Sequence, residues 1–144
     1  MGHYVDISNS RDVIDSRDII KRIEELTDER EDLESEAKDD TNVEIEVAKE
    51  ALADWDASED GEELQALQAL ESEASESPDW IHGETLIRDS YFQEYAQQIA
   101  EDIGEIDSNA SWPQDCIDWE KAADQLKQDY FQVDYDGVDY WIRA

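Results

Sequence analysis

Carboxylates are the side chains in this sequence best placed to do chemistry, since aspartate and glutamate supply 42 of its 144 residues. Paired carboxylates can hydrolyse glycosides, and clustered ones can bind calcium. Here carboxylate pairs occur at almost every spacing, so no particular pair indicates general acid–base catalysis. The segment Asp56–Gly61 matches the start of an EF-hand loop, but the twelfth position, where a bidentate glutamate is needed, is Leu67. The carboxylates therefore predict neither an active site nor a dedicated calcium site.

The other reactive residues form no catalytic or metal-binding pattern. His3 and His82 are far apart, and neither has a second histidine or a cysteine at zinc-binding spacing. Cys116 lies near Asp115 and Asp118, whose charge opposes thiolate formation, so we interpret it as a packed bystander. The five glycines are dispersed and form no phosphate-binding loop. We predict no enzyme activity, no metal and no cofactor.

The formal net charge of −31 limits the classes of partner. Residues 28–79 hold 21 of the acids and only 3 of the 11 bases. Such a surface repels phosphate groups, which excludes direct binding to nucleic acid or to an anionic membrane. No apolar run approaches the ~20 residues of a membrane span, and no secretory signal is visible. With a single cysteine, the composition fits a reducing cytoplasm.

Hydrophobic periodicity predicts an acidic helical element over residues 1–76. The first helix, capped by Asp15 or Ser16, has a seam of residues three and four apart: Ile19, Ile23, Leu26, Arg30, Leu33 and Ala37. The second is expected to return as the other arm of a helical hairpin, burying Val43, Val47, Ala51 and Trp55. The third carries Leu64, Leu67, Leu70 and Ala74.

A stretch rich in Ser, Glu and Pro ends the third helix and predicts a linker at residues 77–83. Beyond it, we expect a second unit, 84–144. Its first helix should run from about Glu84 to Ile103 and stop at Gly104, and its second should start after Asp118. Together these patterns predict an α+β, mostly helical fold, in which the C-terminal helices pack on a small antiparallel sheet.

The last residues, QDYFQVDYDGVDYWIRA, predict a β-hairpin over 130–143. Asp136-Gly137 between two alternating runs is typical of a two-residue type I′ turn. This register puts a mostly apolar set on one face: Phe131, Val133, Tyr135, Val138, Tyr140 and Ile142. On the other face Asp134 opposes Asp139, and like charges across a strand pair are destabilising. Trp141 shares that face, where it is expected either to be covered by another element or to serve as an aromatic interface anchor.

The arrangement of acids favours a specific hypothesis over a general one. Glu25, Glu29, Asp32 and Glu36 line a helix face away from the seam, about 5–6 Å apart, which is close to the separation of successive phosphates along one DNA strand. The general alternative is halophilic adaptation, in which surface carboxylates keep a structural or adaptor protein soluble. Opposed aspartates that weaken a hairpin are easier to explain by a partner than by solubility.

Two segments also resemble a known family. Residues 116–126, CIDWEKAADQL, followed by Phe131 and the strand VDYWI at 138–142, are similar to the C-terminal segment of ArdA-type antirestriction proteins, with its "IDY-x-AYGRDL" helix start. Residues 90–96, SYFQEYA, through EDIG at 101–104 resemble that family's "YARYYIEETG" helix. The resemblance covers about 84–144. It implies an acidic, often dimeric phage or mobile-element protein that mimics B-form DNA in the groove of type I restriction–modification enzymes.

These observations predict a DNA-mimic inhibitor of a host defence protein in the bacterial cytoplasm. The helical N-terminal part has no counterpart in the family's β-rich first domain, so an anti-CRISPR protein blocking a CRISPR effector stays open as the alternative. A homodimer stays open, as do a halophilic adaptor and, more remotely, a calcium-binding module. We expect Trp141 and nine carboxylates to contact the partner: Glu25, Glu29, Asp32, Glu36, Asp118, Asp124, Asp134, Asp136 and Asp139.

Overall fold

A computed structural model describes residues 7–41, 43–102, 112 and 116–144. They form an α+β, mostly helical fold with a small antiparallel sheet, which confirms the predicted fold class. The helices are α1 Ser16–Lys38, α2 Ile45–Asp56, α3 Glu59–Ala74, α4 Phe92–Asp102 and α5 Trp119–Leu126. The strands are β1 Val13–Asp15, β2 Thr85–Arg88, β3 Tyr130–Tyr135 and β4 Val138–Arg143. Short 3₁₀ turns occupy Trp80–His82, Asp89–Tyr91 and Lys127–Asp129.

The sheet has the strand order β1-β2-β4-β3, and every neighbouring pair is antiparallel. Strands β3 and β4 form a hairpin over the residues whose alternation predicts one. Its turn residues Asp136 and Gly137 have φ values of 48° and 86°, because a type I′ turn needs positive φ at both central positions. Asp134 lies opposite Asp139 in the register.

One face of the sheet packs on α1 and α3 and forms the main core. The sheet contributes the buried side chains Ile14, Leu86, Val133, Tyr135, Tyr140 and Ile142. The helices contribute Ile19, Ile23, Leu26, Leu64, Leu67, Leu70 and Ala74. The two buried tyrosines keep their hydroxyls satisfied by donating to the backbone carbonyls of Ile7 and Arg11. These two hydrogen bonds hold the segment from Ile7 to Arg11 against the hairpin.

The opposite face of the sheet is covered by α4 and α5. Ile87, Phe92, Ala96 and Ala123 form this second cluster, and Tyr130 and Trp141 of the hairpin pack against it. The Phe92 ring lies 5.3 Å from that of Tyr130, centroid to centroid, and meets it edge-on. The sheet is therefore the middle of three layers, with α1 and α3 on one side and α4 and α5 on the other.

The structure differs from the predicted division at residues 77–83. Trp80 is buried in the main core, and the Ser77 hydroxyl donates to the carbonyl of Arg143 at 2.6 Å. Ser16 Oγ donates to the Trp80 carbonyl and accepts from the Glu84 amide, both at 2.7 Å. Serine hydroxyls here satisfy buried backbone groups, so a composition typical of linkers forms a packed corner.

Residues on the two sides of that corner also share one sheet. Strand β1 pairs with β2 through Val13 opposite Ile87 and Asp15 opposite Thr85. The main core likewise combines residues from both predicted units. The described parts of 1–76 and 84–144 therefore do not form separate folding units, and the predicted boundary is wrong.

The helix predicted from about Glu84 begins later in the structure. Residues 85–88 form β2, the Asp89–Tyr91 turn follows, and α4 starts at Phe92. Leu86 and Ile87 are both buried, one in each core cluster, because both faces of the sheet are covered. A strand buried on both faces shows no alternation, which is why the pattern did not reveal it. The predicted stop at Gly104 lies outside the described residues.

The second helix exists, but it buries a different face from the one predicted. Val43 precedes α2, and Val47 and Ala51 are exposed. Of the predicted set Trp55 faces inward, together with Ile45, Ala48 and Leu52. Both sets fit a helical period, so the sequence alone did not decide between them. Among the described residues, none of the helices combines the length and the hydropathy needed to span a membrane.

Candidate partner-binding surface

The outward side of α1 carries a continuous band of carboxylates. Asp15 caps the helix by accepting from the Arg17 amide at 2.9 Å, and Ile19, Ile23 and Leu26 turn its other side into the core. The exposed residues from 24 to 36 are then Ser35 and seven acids: Glu24, Glu25, Asp28, Glu29, Glu31, Asp32 and Glu36. We call these seven acids the α1 acid face.

The predicted site residues on α1 belong to this face, but sequence reasoning identified only one of its two rows. Glu25, Glu29, Asp32 and Glu36 form the predicted row. Glu24, Asp28 and Glu31 form a second row about 100° around the helix, at the same spacing of three and four residues. The periodicity of the acids could have revealed this second row, because it too falls outside the apolar seam.

Two of the three arginines of α1, Arg22 and Arg30, point toward the neighbouring helices, whereas Arg17 pairs with the helix cap Asp15. Arg22 reaches α3, where its NH2 group lies 2.8 Å from a Glu63 oxygen and 3.6 Å from an Asp60 oxygen. The Glu63 hydrogen bond raises the pKa of the Arg22 guanidinium. Arg30 reaches α2 and donates to both carboxylate oxygens of Asp56, at 2.8 and 3.1 Å. The pKa of Asp56 is lowered mainly because of this hydrogen bond.

Positive and negative side chains therefore lie in different parts of the helical layer, with Arg22 and Arg30 between helices and the acids on the outward side of α1. Arg30 also donates to Glu34, and Lys38 contacts the same carboxylate, so the pKa of Glu34 is lowered, mainly by Lys38 and then by Arg30. These bases neutralise acids at the seams between helices or at the end of α1. On the α1 acid face, a Glu25 oxygen lies 3.5 Å from Arg22, which is a long ion pair. The outward surface consequently keeps most of its negative charge.

The hairpin presents a second, smaller acidic surface. The Asp134 amide donates to a Glu73 carboxylate oxygen at 3.1 Å, so its N–H points away from β4. The facing residues Asp134 and Asp139 therefore occupy a non-hydrogen-bonded position, where opposed Cα atoms are only about 4.5 Å apart and side chains are closest. Both side chains are exposed. The predicted like-charge pair is present in the structure.

The turn of the hairpin brings acids together that the sequence did not connect. Asp136 and the start of α3 line an open cleft of about 600 Å³, together with Glu59, Glu62 and Glu63. The amide of Asn9 donates to the Asp136 carbonyl at 3.2 Å, which holds the N-terminal segment against this turn. The turn therefore extends the negative surface of α3 toward the hairpin.

The predicted carboxylates on α5 lie elsewhere. Asp118 caps α5 by accepting from the Lys121 amide at 3.1 Å, and Asp124 is exposed on the same helix. Because α5 covers the opposite face of the sheet from α1, the nine predicted carboxylates do not form one surface. Asp118 also has a structural role in capping, so it is the weaker candidate of the two.

Trp141 packs against other residues of the protein. Its ring contacts Phe92, and its indole nitrogen donates to Asp89 at 2.8 Å. Lys127 Nζ lies 4.9 Å from the Trp141 ring centroid. The Trp141 hydrogen bond, followed by Lys127, lowers the pKa of Asp89. Trp141 thus joins β4 to the layer of α4 and α5, as expected if another element covers it, and its role as an interface residue stays a prediction.

Calcium and nucleophile chemistry find no support in the described geometry. The EF-hand-like segment spans the end of α2 and the first turn of α3, so it does not form an ion-binding loop, and Asp56 is paired with Arg30. Among the described residues, no group of three or more His, Cys, Asp or Glu side chains could hold a metal ion. Cys116 is an exposed free thiol, so its interpretation as a packed residue is wrong.

Comparisons with known proteins add no family assignment. No protein-family model matches the chain, and neither a curated protein nor a solved structure matches it. The resemblance of residues 84–144 to ArdA-type antirestriction proteins thus stays a prediction.

Proposed function

We propose that this protein is a DNA-mimic inhibitor, which occupies the basic DNA-binding groove of a host defence protein in the bacterial cytoplasm. The observation that carries the proposal is the α1 acid face, where the carboxylates point outward while Arg22 and Arg30 pair inward. A surface that needed only solubility would gain nothing from keeping bases off the exposed side of α1 between residues 24 and 36. A surface that competes with DNA needs this separation of charge.

The linear charge density of the α1 acid face is of the same order as that of duplex DNA. Residues 24 to 36 span about 18 Å of helix axis at 1.5 Å per residue. Seven carboxylates over that length correspond to one negative charge per roughly 2.6 Å, compared with one per ~1.7 Å for duplex DNA. The two rows lie about 100° apart around the helix, so at a side-chain radius of about 5–6 Å they are roughly 8–9 Å apart, within the ~6–12 Å range of the DNA groove widths.

The target we propose is a type I restriction–modification enzyme, as the resemblance of residues 84–144 implies. The α1 acid face lies outside that segment, which favours keeping a CRISPR effector as the second candidate. Either target grips nucleic acid with lysine and arginine, so either would be attracted to the same carboxylates.

The direct test is a DNA-cleavage assay with a purified type I restriction–modification enzyme on an unmodified plasmid, with a purified CRISPR effector tested in parallel. We expect dose-dependent inhibition of one of the two. Unrelated duplex DNA should relieve this inhibition, because it competes for the same groove. If both enzymes cleave at full rate and neither binds the protein, the proposed function is wrong.

Salt should move stability and binding in opposite directions. Raising salt from roughly 0.05 to 0.2 M screens the self-repulsion of a protein with a net charge of −31, so the melting temperature should rise. The same screening should weaken the complex by about tenfold or more, because attraction between exposed charges is lost. Thermal melting and affinity measured over one salt series would check both. A chain that folds only in molar salt would instead support the halophilic alternative.

Asp134→Lys tests the hairpin surface. Replacing a like-charge pair by an attractive one should stabilise the isolated protein by several tenths of a kcal/mol to ~1 kcal/mol. A new positive charge facing a basic groove should weaken inhibition. Melting temperature and inhibitory potency should be measured beside Asp134→Glu, which conserves the charge. If Asp134→Lys is stabilised and inhibits at full potency, the hairpin acids lie outside the interface.

A further inference from the structure

The outward side of α2 carries an apolar ridge that the fold leaves uncovered. Val43 is 98% exposed and Val47 is 62% exposed, and Ala51 is exposed one turn further along. Val47 and Ala51 are four positions apart and therefore lie on one side of α2, and Val43 lies in the turn just before the helix begins. The opposite side of α2, which includes the buried Ala48, packs on α1 and α3. The ridge therefore contributes nothing to the main core.

Acidic side chains flank this ridge. Glu46, Glu50 and Asp54 are exposed on the outward side of α2, and the nearby Lys49 is paired with Glu46 at 3.5 Å. A second copy of the chain is a poor occupant, because each copy would bring a net charge of −31 to the contact. Charge complementarity instead favours a surface that has an apolar strip between lysine and arginine side chains.

We propose that the α2 ridge docks on such a basic-rimmed apolar strip of the partner, an inference that rests on the proposed function. Carboxylates attract a basic partner from a distance and chiefly raise the association rate. Burial of Val43 and Val47 adds contact area that salt does not screen and that lengthens the lifetime of the complex. The inhibitor thereby gains a contact that DNA, with its phosphate surface, does not offer to the same groove.

The test needs no knowledge of the natural partner. Two synthetic helical peptides of equal positive charge serve as probes: one has leucine along one face and lysine along the other, and the second has glutamine in place of leucine. Their affinities for the full-length protein are measured by titration calorimetry at physiological salt. Val47→Gln removes the centre of the ridge without changing the charge, and glutamine favours a helix more than valine does. Ala53→Gln is the matched control, exposed on α2 but away from the ridge.

The wild-type protein should prefer the leucine peptide by about tenfold, which is the order expected for burying one valine. Val47→Gln should lose that preference, and Ala53→Gln should keep it. Equal affinity of the wild-type protein for the two peptides would overturn the inference, as would a preference that survives in Val47→Gln. A wild-type dimer in sedimentation that Val47→Gln dissociates would assign the ridge to a second copy. Failure of the proposed function would appear separately, as full DNA cleavage in the restriction and CRISPR assays.

Discussion

Replacing four acids of the α1 acid face by their amides is expected to remove most of the inhibition while leaving the protein folded. The variant is Glu25→Gln, Glu29→Gln, Asp32→Asn and Glu36→Gln, which takes one full row of carboxylates from the face. These side chains are exposed, and the ion pair from Glu25 to Arg22 is long at 3.5 Å. Less self-repulsion should leave the melting temperature unchanged or higher.

The expected loss of potency is large because four charges act against one basic groove. Single exposed ion pairs contribute little, but contacts that become partly desolvated in an interface contribute more. Four such contacts together should weaken inhibition on the order of a hundredfold at low salt. The difference in potency between the variant and the wild-type protein should shrink as salt rises. Salt screens the attraction between the four carboxylates and the basic groove, so their removal then costs less.

A matched control separates position from total charge. The control variant loses the same number of negative charges, four, from exposed positions outside α1: Glu76→Gln, Glu94→Gln, Asp102→Asn and Asp129→Asn. This control should inhibit within a few-fold of wild type. Inhibition curves for the three proteins, recorded at two salt concentrations, would decide the question. Equal losses in the two variants would mean that total charge acts, and that no α1 acid face is recognised.

The features that the sequence predicted well are those set by local chemistry. Alternation around Asp136-Gly137 predicted the hairpin register, because positive φ at both turn residues fixes which residues pair. The leucines of α3 recur on one helix face, and Leu64, Leu67 and Leu70 are all buried. Arg30 falls in the predicted apolar seam of α1, and it indeed turns inward, to Asp56.

The features that were missed depend on contacts between distant segments. Strand β1 has three residues and exists because β2 lies beside it, 72 positions away along the chain at the pair Ile14 and Leu86. Leu86 and Ile87 face different cores, so their pattern resembles that of a helix as much as that of a strand. For the candidate surface, sequence spacing identified one row of acids but could not show that α5 lies on the far side of the sheet from α1.

The close packing between α2 and the start of α3 requires glycine at position 61, where alanine would ordinarily stabilise a helix. Gly61 lies within α3, where alanine normally stabilises a helix by about 1 kcal/mol relative to glycine. Here a Cβ would lie 2.3 Å from the Asp56 carbonyl oxygen and 2.4 Å from that of Trp55. Both atoms belong to the backbone at the end of α2, so no flexible side chain can move aside.

Gly61→Ala should therefore destabilise the protein by about 3 kcal/mol, at the upper end of the usual cost of overpacking, and lower the melting temperature by roughly 10 °C. Ser72→Ala, at an exposed position of the same helix, should be neutral or slightly stabilising, because alanine there gains helix propensity without a clash. Pushing α3 away from α2 should also draw Asp56 from Arg30, so amide exchange should accelerate in α2 more than in β4. Thermal melting and hydrogen exchange measure the two effects independently. A Gly61→Ala protein as stable as Ser72→Ala would show that the two helices are not held at this distance, and that α2 and its outward ridge are placed by other contacts.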